Sequence, residues 1–397
     1  MPDSLKQAID RVLPEIVSLR HDLHAHPELS FKEYNTARKV RDILGRLPNI
    51  RVLPPLLETD VVAILNPERD GPCIGLRADM DALPITEELD IPHKSTTPGL
   101  MHACGHDGHT ATLVGVAMVL SEIATALPGR VKFVFQPAEE DGGGGGKLVE
   151  RGVLEDPKVD AMFCLHAWPT QPLGSIAVRT GPVCAATNEL RITVRGKGGH
   201  GAYPHKSIDP ILIAAHIVTG LQSLVARNVS PFESAVVTIG QITGGAAGNV
   251  IPSECAMRGT IRHYSPELGE MLREGVRRIA EQTALAYGGQ AEVFVRPSYP
   301  ALFNDRDMAA LVEEVGCDLL GRERVITTES PSMGSEDFAY YAQRVPAAMF
   351  RLGMWPPDTE AYPGLHHPQF EFRDEALPVG MRMLCELAMR FLSRRAR

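Results

Sequence analysis

The chain has 397 residues, a length that predicts two or three domains and leaves ample room for a buried core. Hydrophobic residues make up 44% and charged residues 22%, which is typical of soluble globular proteins and excludes disordered and collagen-like classes. Forty basic against 49 acidic residues give a net charge of -9, so we expect neither a nucleic acid nor a membrane as partner.

Residues 1–17 mix charged and apolar side chains, whereas a secretory signal needs an uninterrupted apolar stretch, so we expect a cytoplasmic protein. The longest apolar-rich stretches, near 110–120 and 211–221, are shorter than the ~18 residues that span a bilayer. The seven cysteines are an odd number scattered along the chain, which indicates reduced thiols rather than a disulfide framework.

Strand and helix patterns alternate in the first part of the chain. Helical spacing over 3–47 is followed by strand patterns at 60–65 and 73–78, a helix at 108–126, and strands at 131–136 and 161–165. This alternation predicts an α/β sheet with helices on both faces. The five consecutive glycines at 142–146 are typical of a flexible loop.

The pattern changes after residue 187. Six elements then follow in the order βαββαβ, at 189–195, 210–226, 234–243, 253–261, 266–287 and 291–295. That order is the ferredoxin-like split βαβ arrangement, a compact unit that can be inserted into a host domain. Helices at 308–320 and 377–393 and a strand at 347–352 follow it. We therefore predict a discontinuous host domain, 1–186 and 297–397, interrupted by a small domain at 187–296.

Side chains that bind metals stand at strand ends and turns in four places along the predicted host domain. They are Cys104 and His106 in one turn, the acids 139–141 after the strand at 131–136, His166 at the end of the next strand, and His366. Loops at the carboxyl ends of strands form the ligand crevice of an open α/β sheet. Thiolate, imidazole and carboxylate are ligands of zinc and related ions. Each group alone has an ordinary structural explanation, but the four together indicate a metal site.

The adjacent acids Glu139 and Glu140 repel each other, which raises a carboxyl pKa unless a cation compensates. A division in which one acid binds metal and its neighbour moves a proton is coherent, and a solvated acidic loop is the alternative. Asp79 and Asp81 face the same side of an extended chain, where they orient a ligand histidine or cap a turn. Lys147 follows the glycines without the Ser or Thr that a phosphate loop needs, so we expect no nucleotide.

Four further motifs occur in order, namely LHAHPEL at 23–29, GGHGAYPH at 198–205, GNVIP at 248–252 and MGSEDF at 333–338. With the metal-binding groups, they closely resemble the aminoacylase and hippurate-hydrolase amidohydrolases, relatives of the co-catalytic metal carboxypeptidases, in the branch that includes plant auxin-conjugate hydrolases. The resemblance runs from about Arg20 to the end. It implies a two-metal-peptidase-like catalytic domain with an inserted lid and dimerisation domain, and hence a homodimer or homotetramer.

The resemblance also implies a role for each matching residue. Two divalent ions (Mn²⁺, Zn²⁺, Co²⁺ or Ni²⁺) are held by Cys104, His106, Glu140, His166 and His366. Glu139 is the catalytic base, His200 acts in its own or in the partner's active site, and we count Asp81 with these catalytic residues. Where the carboxypeptidases place a ligand histidine before an acid, this chain has Asp79, and Cys104 looks like the substitute ligand.

The implied substrate is an N-acyl amino acid or a related small amide. Asn249 and Arg262 are candidates for holding its carboxylate, although a surface ion pair of Arg262 stays open. Trp168 or Trp355 lines an acyl pocket or merely packs. A dipeptidase or carboxypeptidase is the nearest alternative. A cysteine-nucleophile amidase using Cys104 and a non-catalytic metal-binding protein are the others.

Overall fold

The structure is a computed structural model that describes residues 2–327 and 330–396. Its helices are α1 Pro2–Ala25, α2 Tyr34–Leu44, α3 His106–Glu122, α4 Gly144–Glu150, α5 Pro210–Asn228, α6 Pro266–Ala286, α7 Arg306–Leu320, α8 Ala339–Ala342 and α9 Leu377–Arg395. Its strands are β1 Ile50–Val52, β2 Val61–Leu65, β3 Cys73–Asp79, β4 Arg130–Gln136, β5 Ala161–Pro172, β6 Ile176–Val178, β7 Gly181–Cys184, β8 Ala186–Arg195, β9 Gly199–His200, β10 Ala235–Gly244, β11 Val250–Ile251, β12 Glu254–His263, β13 Gln290–Pro297, β14 Leu302–Asn304, β15 Val325–Thr327 and β16 Ala347–Trp355.

The chain divides into two compact units. The first unit consists of Met1–Val183, Phe303–Ser330 and Asp337–Arg397, and the second unit of Cys184–Leu302 and Pro331–Glu336. Each unit has a hydrophobic core of its own, which is the mark of a domain.

An eight-stranded sheet forms the centre of the first unit, in the order β1-β2-β4-β3-β5-β16-β6-β15. The central strands β4, β3, β5 and β16 are parallel to one another, whereas β2 and β6 on either side of them pair antiparallel. Strand β3 is buried at every residue, as expected for a strand that is covered on both faces. Helices α1, α3 and α9 pack on one another, and α3 and α9 also contact β3. The predicted α/β class is confirmed.

The parallel strands bring the predicted metal-binding loops to one edge of this sheet. Asp79 at the end of β3 pairs in register with Gln136 at the end of β4, and His166 lies on β5, on the other side of β3. The chain segments that carry Asp81 and Glu139 therefore leave the sheet side by side. This edge positions the site.

The second unit contains a four-stranded antiparallel sheet in the order β10-β12-β8-β13. Helices α5 and α6 pack on each other and on the sheet. Asp209 caps α5 by accepting hydrogen bonds from the Ile211 and Leu212 backbone N–H groups, and Ser265 caps α6 in the same way through Leu268. In chain order the elements β8, α5, β10, β12, α6 and β13 confirm the predicted βαββαβ sequence.

Helix α5 is long and apolar enough to cross a membrane when judged by length and composition alone. Its Ile213, Ile217 and Leu221 are fully buried in the core of the second unit. Only 33% of its apolar window is buried, so packing in this unit accounts for part of the apolar character of α5.

The glycine run is not the flexible loop that its composition predicts. Gly144, Gly145 and Gly146 are buried in the first turn of α4. A Cβ atom at Gly144 would lie 1.8 Å from the Pro137 carbonyl oxygen, and one at Gly145 would lie 2.9 Å from the Asp337 carbonyl oxygen. Close approach of the backbone, rather than flexibility, is what requires glycine here.

Candidate active site

Cys104 and His106 come from the turn that opens α3. Gly105 between them has φ 86°, a left-handed conformation that glycine adopts without strain. Both side chains are buried beside His166, and Cys104 Sγ lies 3.6 Å from His166 Nε2. Ligand atoms of Cys104, His106 and His166 all lie within 4.8 Å of one another. These three residues form the first donor group.

Cys104, Glu140 and His366 form a second donor group, whose ligand atoms also lie within 4.8 Å of one another. His366 Nε2 lies 3.1 Å from Glu140 Oε1, and the His366 backbone N–H donates to the Ala103 carbonyl oxygen at 2.8 Å. His366 has φ 64°, which is uncommon outside glycine and is often found at functional sites. The structure thus brings together all five residues predicted as ligands, and Cys104 belongs to both groups.

Hydrogen bonds orient two of the imidazoles. His106 Nδ1 donates to the Asp81 carbonyl oxygen and His166 Nδ1 to the Ala167 carbonyl oxygen, each at 2.8 Å. Because a carbonyl only accepts, each ring carries its proton on Nδ1 and turns Nε2 towards the cluster. His106 Nε2 is buried and makes no hydrogen bond within the part of the chain that the structure describes. Metal-binding histidines are commonly held in this way.

The cluster is rich in negative charge. Burial lowers the pKa of His106, but Asp79, Asp81 and Glu140 outweigh it and raise that pKa to about 10. Burial, followed by the charges of Glu140 and Glu139, raises the pKa of the Cys104 thiol. In the metal-free protein, the protons on His106 and on the Cys104 thiol therefore limit the negative charge of the cluster. A divalent cation would replace these protons on binding. The donor atoms present fit divalent cations, which the two donor groups with their common Cys104 would hold.

Asp81 acts through its neighbours. Its buried carboxylate accepts hydrogen bonds from the Ser30 hydroxyl at 2.7 Å and from the Glu139 and Glu140 backbone N–H groups at 3.0 Å each. Burial opposes ionisation of Asp81, but its hydrogen bonds, first of all with His106, lower its pKa. Through these contacts Asp81 positions the acidic loop and His106, and its predicted place among the catalytic residues stays a prediction.

Glu139 lies beside the donor groups. Its side chain is buried, and a carboxylate oxygen lies within 4.8 Å of ligand atoms of His106 and Glu140. The Asp337 backbone N–H donates to Glu139 Oε1 at 3.4 Å. The carboxylate is therefore close to the donor cluster while its neighbour Glu140 faces His366.

Arg77 connects the ends of two strands to Asp337, a role that no motif in the sequence predicts. Its fully buried guanidinium donates to Asp79 at 2.6 Å, to Gln136 at 3.0 Å and to Asp337 at 2.8 Å. Asp337 stands in the MGSEDF motif, and that position is the one signal for it in the sequence.

His109 lies near the cluster, but its ring is already committed. Nδ1 donates to Asp79 at 2.6 Å, and Nε2 accepts from the Ala167 backbone N–H at 2.8 Å. With both nitrogens engaged, His109 supports Asp79 and the end of β5 instead of offering a ligand atom.

His200, Asn249 and Arg262 belong to the second unit. His200 lies exposed on β9, which pairs with β11, and the Asn249 carbonyl oxygen accepts from the Gly201 backbone N–H at 2.8 Å. Arg262 on β12 donates to the Met333 carbonyl oxygen at 2.8 Å. His200 and Asn249 are therefore adjacent, whereas Arg262 stands on a different sheet. Their predicted roles stay predictions.

The two tryptophans have different surroundings. The Trp168 ring lies 5.9 Å from the His166 ring, and the Arg351 guanidinium is 3.9 Å above it. Trp355 Nε1 donates to the Thr359 carbonyl oxygen at 2.9 Å. Trp168 thus packs beside a predicted ligand in the first unit, while Trp355 supports the turn that follows β16.

An α/β sheet with thiol, imidazole and carboxylate donors clustered at its carboxyl edge, most of them buried, is typical of a metal-dependent hydrolase. Residues 75–390 match peptidase family M20/M25/M40, and the chain belongs to this family. The predicted fold class and the resemblance to this family are confirmed.

Two curated proteins are similar over most of their length. N-acetylcysteine deacetylase of Bacillus subtilis is 42% identical over 94% of this chain and 96% of its own. IAA-amino acid hydrolase ILR1-like 4 of Arabidopsis thaliana is 38% identical over 95% of this chain and 86% of its own. The crystal structure of the Bacillus subtilis YXEP protein, a dinuclear metal binding peptidase from the M20 family, is 38% identical with a TM-score of 0.83, covering 97% and 99% of the two chains.

Proposed function

We propose that the protein hydrolyses the amide bond of N-acyl amino acids and releases a carboxylic acid and a free amino acid. The convergence of Cys104, His106, Glu140, His166 and His366 beside Glu139 is the observation that carries this proposal. The deacetylase and the amino acid hydrolase among its relatives support the substrate class.

The pair of divalent cations, when bound, polarises the amide carbonyl and makes water a better nucleophile. Glu139 takes the proton from the attacking water and passes it to the departing amine. General acid-base catalysis of this kind contributes about 10² to 10⁴ in rate. Asp81 holds the backbone N–H groups of both acids, so that Glu139 and Glu140 keep separate orientations.

For the second unit we retain the predicted roles as proposals. Residues 187–296 form a lid and dimerisation domain between 1–186 and 297–397, His200 stabilises the developing oxyanion, and Asn249 and Arg262 hold the substrate carboxylate. A homodimer or homotetramer in the cytoplasm, with Mn²⁺, Zn²⁺, Co²⁺ or Ni²⁺ as the metal, completes the proposal.

The test is hydrolysis of N-acetylcysteine, hippurate, other N-acetyl amino acids and dipeptides, each with the four metals added separately. We expect N-acyl amino acids to be cleaved, a chelator to abolish cleavage, and a divalent metal to restore it. Cleavage of dipeptides alone would assign a dipeptidase instead. Activity that persists in chelator would favour a Cys104 nucleophile, although the raised pKa of this thiol opposes that mechanism.

A further inference from the structure

We infer that Glu33 is a positioning residue that fixes the loop after β4, residues 137–141, and thereby aims Glu139 and Glu140 at the donor cluster. The inference rests on the proposed function for the roles of those two acids. Glu33 lies more than a hundred positions before them in the chain, at the start of α2.

The side chain of Glu33 turns away from the helix that it precedes. Its backbone carbonyl accepts from the Ala37 N–H as the first bond of α2, but its carboxylate does not cap that helix. Oε1 instead accepts from the Ala138 backbone N–H at 2.9 Å and from the Phe31 backbone N–H at 3.1 Å. The residue is fully buried, and a buried carboxyl needs such bonds to be tolerated.

Ala138 is the point at which the backbone turns towards the cluster. It has φ 59°, a left-handed conformation that a residue with a Cβ atom adopts only when its surroundings enforce it. Its N–H is held by Glu33, and its carbonyl oxygen accepts from the Gly144 N–H at 2.9 Å. The next two backbone N–H groups, of Glu139 and Glu140, are held by Asp81. Two buried carboxylates thus bind three successive N–H groups.

Phe31 provides a second contact with the same region. A Cβ atom at Gly142 would lie 2.5 Å from the Phe31 ring, and the Lys147 ammonium lies 4.1 Å from the centre of that ring. The segment 31–33 therefore contacts the chain on both sides of Glu139 and Glu140. A segment that served only to begin a helix would contact neither side of this acidic loop.

Hydrogen-bond acceptance, rather than charge, is the property that the loop requires. Burial and the negative charge of Asp81 raise the pKa of Glu33 to about 7, against the hydrogen bonds that lower it. Oε1 accepts from Ala138 in either protonation state. Glu33→Gln keeps an acceptor oxygen, whereas Glu33→Met fills a similar volume without one, so the two variants form a matched pair.

A control comes from Asp160, whose carboxylate accepts from the Cys73 backbone N–H at 2.8 Å. This bond is of the same type but lies at the opposite end of β3. Asp160→Ala therefore reports the general cost of losing a carboxylate-backbone bond in the first unit.

The experiment compares wild type, Glu33→Gln, Glu33→Met and Asp160→Ala after the metal has been stripped. The readouts are hydrogen exchange of the peptide that contains Ala138, Mn²⁺ affinity by calorimetry, and kcat and KM on N-acetylcysteine with Mn²⁺. We expect the backbone amides of that peptide to exchange faster in Glu33→Met than in wild type, and Mn²⁺ to bind about 10 to 100 times more weakly. We also expect kcat to fall by a larger factor than KM changes. Glu33→Gln and Asp160→Ala should stay close to wild type in all three.

Wild-type exchange and Mn²⁺ affinity in Glu33→Met would overturn the inference, and so would equal losses in Glu33→Gln or Asp160→Ala. If Glu33→Met does not fold, the Gln variant decides alone, because faster exchange there contradicts the acceptor role. A wild-type protein that binds Mn²⁺ but cleaves no N-acyl amino acid would defeat the proposed function, while exchange and Mn²⁺ affinity would still decide the role of Glu33.

Discussion

Glu139 and Glu140 are chemically identical neighbours, and their surroundings separate them. Glu140 Oε1 lies 3.1 Å from His366 Nε2, while Glu139 accepts from the Asp337 backbone N–H. Buried carboxylates bind the backbone of the loop after β4, so that the side chains of Glu139 and Glu140 point in different directions and can have different roles.

We expect Glu139→Gln to keep both metals and to lower kcat about 10²-fold or more, because the amide cannot accept the water proton. Metal content by mass spectrometry of the folded protein and steady-state kinetics on N-acetylcysteine test this expectation. Glu140→Gln is the matched control and should lose metal affinity as well. Near-normal turnover in Glu139→Gln would remove this residue from the mechanism.

At the same scale, the predicted ligands were accessible from the sequence because each stands close to the end of a strong strand pattern or in a glycine turn. The residues that orient them were not. Arg77 and Asp337 are 260 positions apart, and Glu33 and Ala138 are 105 apart. No local sequence pattern predicts a hydrogen bond between residues so far apart in the chain, because such a bond depends on how distant segments pack.

Among the helices and strands, the longer ones can be predicted from the sequence and the shortest ones cannot. The helices α3, α5, α6 and α9 and the buried strands β3 and β4 follow their hydrophobic patterns closely. Strands β6 and β15 have three residues each. Strand β6 pairs with both β15 and β16, so pairing partners rather than composition define these short strands. The prediction of a flexible loop at 142–146 was wrong because a run of glycines suits both a loop and a tight packing contact, and composition does not distinguish the two.

The start of α4 offers a test of that correction. Gly144→Ala places a Cβ atom on the Pro137 carbonyl oxygen, so we expect the free energy of unfolding to fall by about 1–3 kcal/mol or more. Gly240→Ala is the control, because a Cβ atom at this exposed glycine meets no described atom within 4 Å. Urea denaturation followed by circular dichroism measures both. Equal stability of the two variants would mean that the run is flexible after all.

For the whole molecule, metal binding should couple to stability and to protons. A ligand at 100 times its Kd adds about 2.7 kcal/mol to the stability of a folded protein, so chelation should lower the melting temperature. Cys104 and His106, whose pKa values are raised in the metal-free protein, must lose protons to become ligands. Mn²⁺ affinity should therefore rise with pH from 6 towards 9.

Calorimetry in buffers of different ionisation enthalpy measures the released protons directly. Cys104→Ser, whose hydroxyl stays protonated and ligates poorly, should release fewer protons per Mn²⁺ than wild type. Affinity that does not change with pH would show that the donor cluster is already deprotonated in the metal-free protein, contrary to its crowded negative charge.

The position of Cys104 in both donor groups makes the two halves of the centre interdependent. The Cys104 sulfur atom lies within 4.8 Å of ligand atoms of His106 and His166 and also of Glu140 and His366. A cation in either donor group would require the thiol in its anionic form, which would also serve the other group, so we expect few half-loaded molecules during a metal titration. The same arrangement predicts that a substitution of Cys104 weakens metal binding at both donor groups, whereas a substitution of His166 or His366 affects mainly one.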